Sequence, residues 1–271
     1  MSGPAESLAE ELAGLALETA RAAADLVRSR AQQEVSVAGT KTSDVDVVTE
    51  ADRATEALIR ERLLAARPDD AILGEEQDAE PGTSGVRWIV DPIDGTVNFL
   101  YGIPQYAVSI AAEVDGEVVA GVVVDVAKSH EYVARPGPDG PEALRDGRPI
   151  QVRGPAPLSQ RLIATGFSYR AEVRAVQAEA VTRLLPVVRD IRRLGSCALD
   201  LCAVAEGTLD GYVEEGVNLW DHAAAGLLAR AAGATTRELV GRSGMPLLVC
   251  GPRHGFEELL DAVRKAGFSR E

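Results

Sequence analysis

Hydrophobic positions recur at helical spacing near the start of the chain. Leu8, Leu12, Leu15, Thr19, Ala22 and Leu26 share one face, and Ser7 with Glu10 forms a capping-box pattern ahead of them. This predicts a first helix over about residues 7 to 29. A second helix is expected from Thr49, whose hydroxyl can cap the turn containing Asp52. It carries Ala54, Leu58, Ile59 and Leu63 inward until Pro68 stops it.

From Val86 to about Val152 the pattern changes to short apolar or β-branched runs, at 88–90, 107–114, 117–126, 131–134 and around Ile150. Asp115-Gly116 and Asp146-Gly147 fall between such runs and read as tight hairpin turns, which makes this stretch an antiparallel meander. Beyond the Gly- and Pro-rich segment 153–158 the order becomes strand then helix. Strands are expected at 162–165, 191–194, 209–214 and 247–250, and helices at 172–188, 197–206, 221–232 and 256–266. Gly207, Gly233 and Gly267 each follow a helical pattern as C-terminal caps. The class is α+β, with a subdomain over 1–154 and a second, α/β subdomain over 155–271. No internal repeat or low-complexity tract appears.

Composition narrows the partners. A chain of 271 residues that is 46% hydrophobic buries a real core. With 28 basic against 42 acidic residues and a formal net charge of −14, it makes a poor electrostatic footprint for nucleic acid or anionic lipid. The opening MSGPAESLAEELAGLALETA is acidic where a signal peptide is basic, and no apolar run approaches the roughly 18 residues of a membrane helix. A cytoplasmic protein with no membrane partner is expected. Cys197, Cys202 and Cys250 are odd in number and form no CxxC pair, so they read as small buried residues. An anionic substrate would also be repelled unless cations intervene.

The most informative stretch is Trp88-Ile-Val-Asp-Pro-Ile-Asp-Gly-Thr-Val-Asn-Phe99, an apolar strand that runs straight into two acids three residues apart. Pro92 and Gly95 restrict and bend the backbone so that Asp91, Asp94 and the Ile93 carbonyl can converge. Hard oxygen donors gathered in this way suit magnesium. Asp-Pro and Asp-Gly are also ordinary loop signals, and alone the pair reads equally as a solvated turn. Its company is Gly74-Glu75-Glu76 upstream and Trp220-Asp221 downstream. Taken singly, Glu75 and Glu76 are loop charges and Asp221 is a helix N-cap. Taken together, these separate explanations become strained.

These residues resemble the inositol monophosphatase family. Asp91-Pro-Ile-Asp-Gly-Thr96, with Trp88 before it and Asn98-Phe99 after it, is similar to the first family signature. Trp220-Asp-His-Ala-Ala-Ala-Gly226, followed by Ala232-Gly233, is similar to the second, and Gly74-Glu75-Glu76 and Thr49-Glu-Ala-Asp52 match two further blocks in order. The resemblance implies a layered αβαβα sandwich, a homodimer, and two or three Mg²⁺ ions per site. Glu75, Asp91 and the Ile93 carbonyl would hold one ion, and Asp91, Asp94 and Asp221 a second. Glu75 and Thr96 would orient the attacking water, with Asp52 behind Thr96. Gly95 and Thr96 would open a helix whose N–H groups face the phosphate. Asp94, Gly95, Thr96, Gly195, Ser196, Glu214 and Asp221 would meet the substrate, a small phosphate monoester.

Among family substrates, Glu214 and the tract 98–104 lean towards inositol 1-phosphate. Histidinol phosphate, fructose 1,6-bisphosphate and 3′-phosphoadenosine 5′-phosphate are the alternatives, and a non-catalytic binding or regulatory member is the alternative of another class. Ser196-Cys197 departs from members that carry Thr-Ala there, which leaves fine specificity open. A haloacid-dehalogenase-type nucleophile fits less well, because two residues separate Asp91 from Asp94 and the block lies a third of the way along the chain. His222 reads as packing, His130 and His254 lack partners in sequence, Lys41 reads as a loop lysine, and the segment 78–85 reads as a mobile flap beside Glu75.

Overall fold

The first helix, α1 (Pro4–Ala31), begins ahead of the capping-box pattern, so Ser7 lies inside it. Proline is tolerated at a first helical position because that N–H has no intrahelical partner. The buried stripe of α1 is also rotated from the leucine face. Leu12 is buried with Ala9, Ala13, Ala16, Ala20, Ala23, Ala24 and Val27, while Leu8 and Leu15 are only partly covered. Small side chains let the helix lie close against its neighbours, and close packing outweighs the hydrophobicity of single residues. These relations come from a computed structural model that describes residues 4–32, 37–40, 47–137 and 140–270; Lys41 lies outside the described residues.

A short ribbon of β1 (Val37–Thr40) and β2 (Val47–Thr49) leads into α2 (Glu50–Ala66), which starts at the expected N-cap, Thr49. Next, β3 (Ala71–Gly74) pairs in parallel with β4 (Val86–Asp94), and the six-residue α3 (Thr96–Tyr101) follows. The meander continues through β5 (Ala107–Val114), β6 (Glu117–Asp125), β7 (His130–Gly137), β8 (Gly140–Arg145) and β9 (Arg148–Pro149). The sheet order is β3-β4-β5-β6-β7-β8-β9, antiparallel after its first pair. Both Asp-Gly turns take positive φ at both residues, 50° and 87° at Asp115-Gly116 and 50° and 74° at Asp146-Gly147, as a type I′ hairpin requires.

The second half runs β10 (Leu162–Thr165), α4 (Ala171–Leu184), β11 (Asp190–Arg192), α5 (Cys197–Ala205), β12 (Gly211–Glu215), α6 (Leu219–Ala231), β13 (Ala234–Val240), β14 (Pro246–Pro252) and α7 (Phe256–Ala266). Its sheet order is β11-β10-β12-β14-β13, with β10 parallel to both neighbours and the last two pairings antiparallel. β13 escapes the sequence pattern. It is an edge strand whose middle, Thr235-Thr236-Arg237-Glu238, carries no apolar alternation.

Three apolar clusters order the layers. Helices α1 and α2 cover one face of the first sheet, α5 and α6 fill the space between the sheets, and α4 and α7 cover the outer face of the second. The result is an αβαβα sandwich. Cys197, Cys202 and Cys250 are buried and unbridged. Among the described residues, no helix is long and apolar enough to cross a membrane.

The central layer is set by a close approach. A Cβ on Gly121 of β6 would lie 2.8 Å from the carbonyl oxygen and 2.9 Å from the Cα of Ala224 on α6. Gly121→Ala is therefore expected to destabilise the protein by about 1–3 kcal/mol, read as a lowered urea midpoint at unchanged slope.

Candidate active site

Trp88, Ile89 and Val90 bury β4 on both faces, so the strand end that carries Asp91 is fixed by packing. Asp91 is 1% exposed and accepts the Ile93 N–H at 3.1 Å. Pro92 has no N–H to give the ladder, and the pairing with β5 slips between Asp91 and Asp94. Asp94 then faces the second half of the chain. Its carboxylate accepts from the Ser196 hydroxyl and from the N–H groups of Ala198 at 2.7 Å and Cys197 at 3.3 Å, at the start of α5. Gly95 (φ 97°) and Gly195 (φ 94°) pass close together, and a Cβ on Gly95 would lie 3.2 Å from the Gly195 carbonyl oxygen. Left-handed backbone and close approach both demand glycine there.

Helix α3 begins at Thr96, whose hydroxyl lies 3.0 Å from Asp52 Oδ1 and 3.1 Å from the Ile93 carbonyl. With only six residues, α3 carries a weak macrodipole, so the individual N–H groups of Gly95 and Thr96 matter more. Asp52 is fully buried in the first turn of α2 and divides its oxygens. Oδ2 accepts the Thr49 N–H at 2.7 Å in a capping box, which leaves Oδ1 for Thr96.

Asp221 is not the N-cap of its helix. Asn218 is, and Asp221 at the third helical position accepts the Asn218 N–H. Ser196 does cap α5, accepting from Leu199 N–H at 3.3 Å while donating to Asp94. Glu214, near the end of β12, accepts from the Tyr212 hydroxyl at 2.8 Å and feels the Arg193 charge.

Glu75, Asp91, Ile93, Asp94, Gly95, Thr96, Gly195, Ser196, Glu214 and Asp221 all line one cleft of about 490 Å³, with Asp52 directly behind Thr96. Burial, and then the charges of Glu75, Asp94 and Asp221, hold the Asp91 carboxyl well above the usual range. Asp221 is raised by burial first and then by Glu75 and Asp94. Burial pushes Asp94 up to about 7 against the lowering by its Ser196 and Ala198 hydrogen bonds. Acids forced together in this way favour cation binding. Among the described residues no three acidic, histidine or cysteine side chains already close around one point; Asp94 and Asp221 turn oxygens onto helix-start N–H groups instead. The donors are hard oxygens, and burial holds the nearby Cys197 thiol well above its ordinary value, so the set suits magnesium better than a thiophilic metal.

A family model described as the inositol monophosphatase family matches residues 8–265. The chain belongs to this family of phosphatases. It is 44% identical over 269 residues to the inositol-1-monophosphatase SuhB of Mycobacterium tuberculosis, covering 96% of this chain and 92% of that protein. It is also 37% identical over 221 residues to a protein named Nus factor SuhB in Pasteurella multocida, over 81% of this chain and 82% of that one. The crystal structure of the extragenic suppressor protein suhB from Bartonella henselae superposes with a TM-score of 0.85 at 31% identity, covering 94% of this chain and 99% of that one.

The inositol monophosphatase fold also brings residues to the cleft that the sequence reading passed over: Phe167, Ser168, Tyr169, Arg170, Arg193 and Met245. Most follow the C-terminal ends of the parallel strands β10 and β11, where loops of α/β sheets gather ligands. A signal was present, because Gly166 follows β10, and Gly195 and Gly216, which line the cleft, follow β11 and β12. His222 lies half-buried with Nε2 3.8 Å from Glu238 on another face of α6, and His130 has Asp146 at 2.9 Å as partner. The loop read as a mobile flap is tied down: Ile72 and Glu80 exchange backbone hydrogen bonds of 2.9 and 2.8 Å, and the Thr83 N–H reaches Asp69 O at 2.7 Å.

Proposed function

We propose that this chain is a magnesium-dependent phosphomonoesterase that hydrolyses inositol 1-phosphate, or a closely similar cyclitol or sugar phosphate, by attack of water. The observation that carries this reading is the meeting of Glu75, Asp91, Asp94 and Asp221, from three distant chain segments, with the Ile93 carbonyl in one cleft.

Glu75, Asp91 and Ile93 O would hold one Mg²⁺, and Asp91, Asp94 and Asp221 a second, with two or three ions in all. Such ions supply charge reversal, a more acidic bound water and stabilisation of the leaving alkoxide. The chain's own part is orientation. With its proton on Asp52, the Thr96 oxygen keeps lone pairs toward the cleft and can accept from the attacking water, while Glu75 accepts that water's proton. The backbone N–H groups of Gly95 and Thr96 face the phosphate. Glu214, held by Tyr212, accepts from vicinal hydroxyls, and Gly195 and Ser196 line the same wall. Homodimeric assembly belongs to the same reading, on family resemblance, and a cytoplasmic setting is part of it as well.

A phosphate-release panel of inositol 1-phosphate, histidinol phosphate, fructose 1,6-bisphosphate and 3′-phosphoadenosine 5′-phosphate tests this. Inositol 1-phosphate is expected to lead in kcat/KM by about tenfold or more, since a hydroxyl-reading site rejects poorly matched polyols by at least that factor. Failure of every substrate with Mg²⁺ present would favour the non-catalytic reading that the name of the Pasteurella relative raises. A burst of acid-stable phosphoenzyme would replace water with an aspartate nucleophile.

A further inference from the structure

Glu56 and Arg60, one turn apart on α2, form an ion pair that is almost wholly buried, with side-chain exposures of 0% and 9% and a separation of 2.9 Å. Neither lines the cleft, yet both spend their remaining hydrogen-bonding capacity on the segment that follows Glu75. The second oxygen of Glu56 accepts the Glu76 N–H at 2.7 Å. The guanidinium of Arg60 donates to the carbonyls of Asp78 at 3.1 Å and Gln77 at 3.3 Å, and its Nη1 lies 3.7 Å from Glu80.

On the upstream side, Gly74 pairs with Val90 in the sheet, and a Cβ there would fall 2.3 Å from a Glu56 oxygen. The carboxylate thus seats directly on the end of β3. The loop closes where Ile72 and Glu80 pair. Glu75 is held by the sheet on one side and by a buried carboxylate on the other.

We infer that the Glu56–Arg60 pair is a positioning device that sets Glu75 against Asp91 in the candidate site. A buried ion pair adds little to stability compared with apolar residues of the same volume, so its presence here is better explained by the backbone groups it fixes. A carboxylate that must share a cation with Asp91 tolerates little displacement, and outer groups that orient ligands typically change affinity or activity by about 10–100-fold when altered.

The inference rests on the proposed phosphatase reading, and its test separates the two. Glu56→Gln, Arg60→Met and Arg60→Lys are compared with wild type and with Leu63→Ala, a buried position on the same helix whose apolar side chain makes none of these polar bonds. Three readouts are taken: amide hydrogen exchange of the peptide spanning 73–82 in metal-free protein, Mg²⁺ half-saturation from thermal shift, and kcat and KM for inositol 1-phosphate. Glu56→Gln keeps the shape and Arg60→Lys keeps the charge, so a folded variant is expected even if Arg60→Met fails.

Exchange in 73–82 is expected to rise about tenfold, half-saturation to rise and kcat to fall about 10–100-fold, with KM nearly unchanged and Arg60→Lys partly rescued. Leu63→Ala should lower the melting temperature alone. Unchanged exchange and Mg²⁺ response in folded variants would overturn the inference, as would the same losses in Leu63→Ala. If wild type releases no phosphate but exchange and Mg²⁺ response still shift, the positioning role stands and the phosphatase reading falls.

Discussion

Asp91→Asn is expected to lower phosphate release by about 10³-fold or more while leaving the fold intact, because in the proposed mechanism its charge would serve two ions and nothing else would replace it. The side chain is 1% exposed on a packed strand, and the charges that bear on it belong to Glu75, Asp94 and Asp221. Asparagine has the same shape, and its carbonyl can still accept the Ile93 N–H. Burial and three acidic neighbours hold the Asp91 carboxyl above its ordinary range, which means that the fold disfavours its charge. Removing that charge should leave the metal-free melting temperature equal or higher. Turnover and melting are measured on the same preparation, and near-normal kcat would remove Asp91 from its bridging role.

The second large effect concerns the cations. Protein stripped with chelator should release no phosphate above background, and Mg²⁺ should restore the activity. Binding to the native state alone stabilises by about 2.7 kcal/mol at a hundred times Kd, which for a chain of this size raises the melting temperature by about 5–10 °C. The same titration on Asp91→Asn should show most of that increment lost. Hydrolysis that persists unchanged after stripping would reject a metal-dependent mechanism, whatever the thermal shift.

Relatives that share this fold carry names of different kinds, among them inositol-1-monophosphatase and Nus factor. Fold therefore does not decide between hydrolysis and another role, and the decision lies with the acids and with the walls of the cleft. Tyr169, Arg170 and Arg193 line those walls.

The order of elements was written locally. Thr49 with Asp52 starts α2, the two Asp-Gly turns set the meander, and glycines at 207, 233 and 267 end helices with φ of 79°, 102° and 87°. Each is an interaction within a few residues, so a single stretch of sequence specifies it. The block around Asp91 was legible for the same reason, since a buried strand, a proline and a glycine shape it from within. Other features required partners that are remote in sequence. Thr96 finds Asp52 across 44 residues, and Asp94 finds the start of α5 across 104. The alanine stripe of α1, the edge strand β13, the wall built on Arg170 and Arg193, and the Glu56–Arg60 hold on the Glu75 loop exist only once layers pack. Sequence alone pointed to the candidate acids and to local starts such as α2 at Thr49, while it misplaced the starts of α1 and α6 and passed over β13. Tertiary packing decided which of them meet, because burial forces acids from separate segments into one cleft where their charges act on one another.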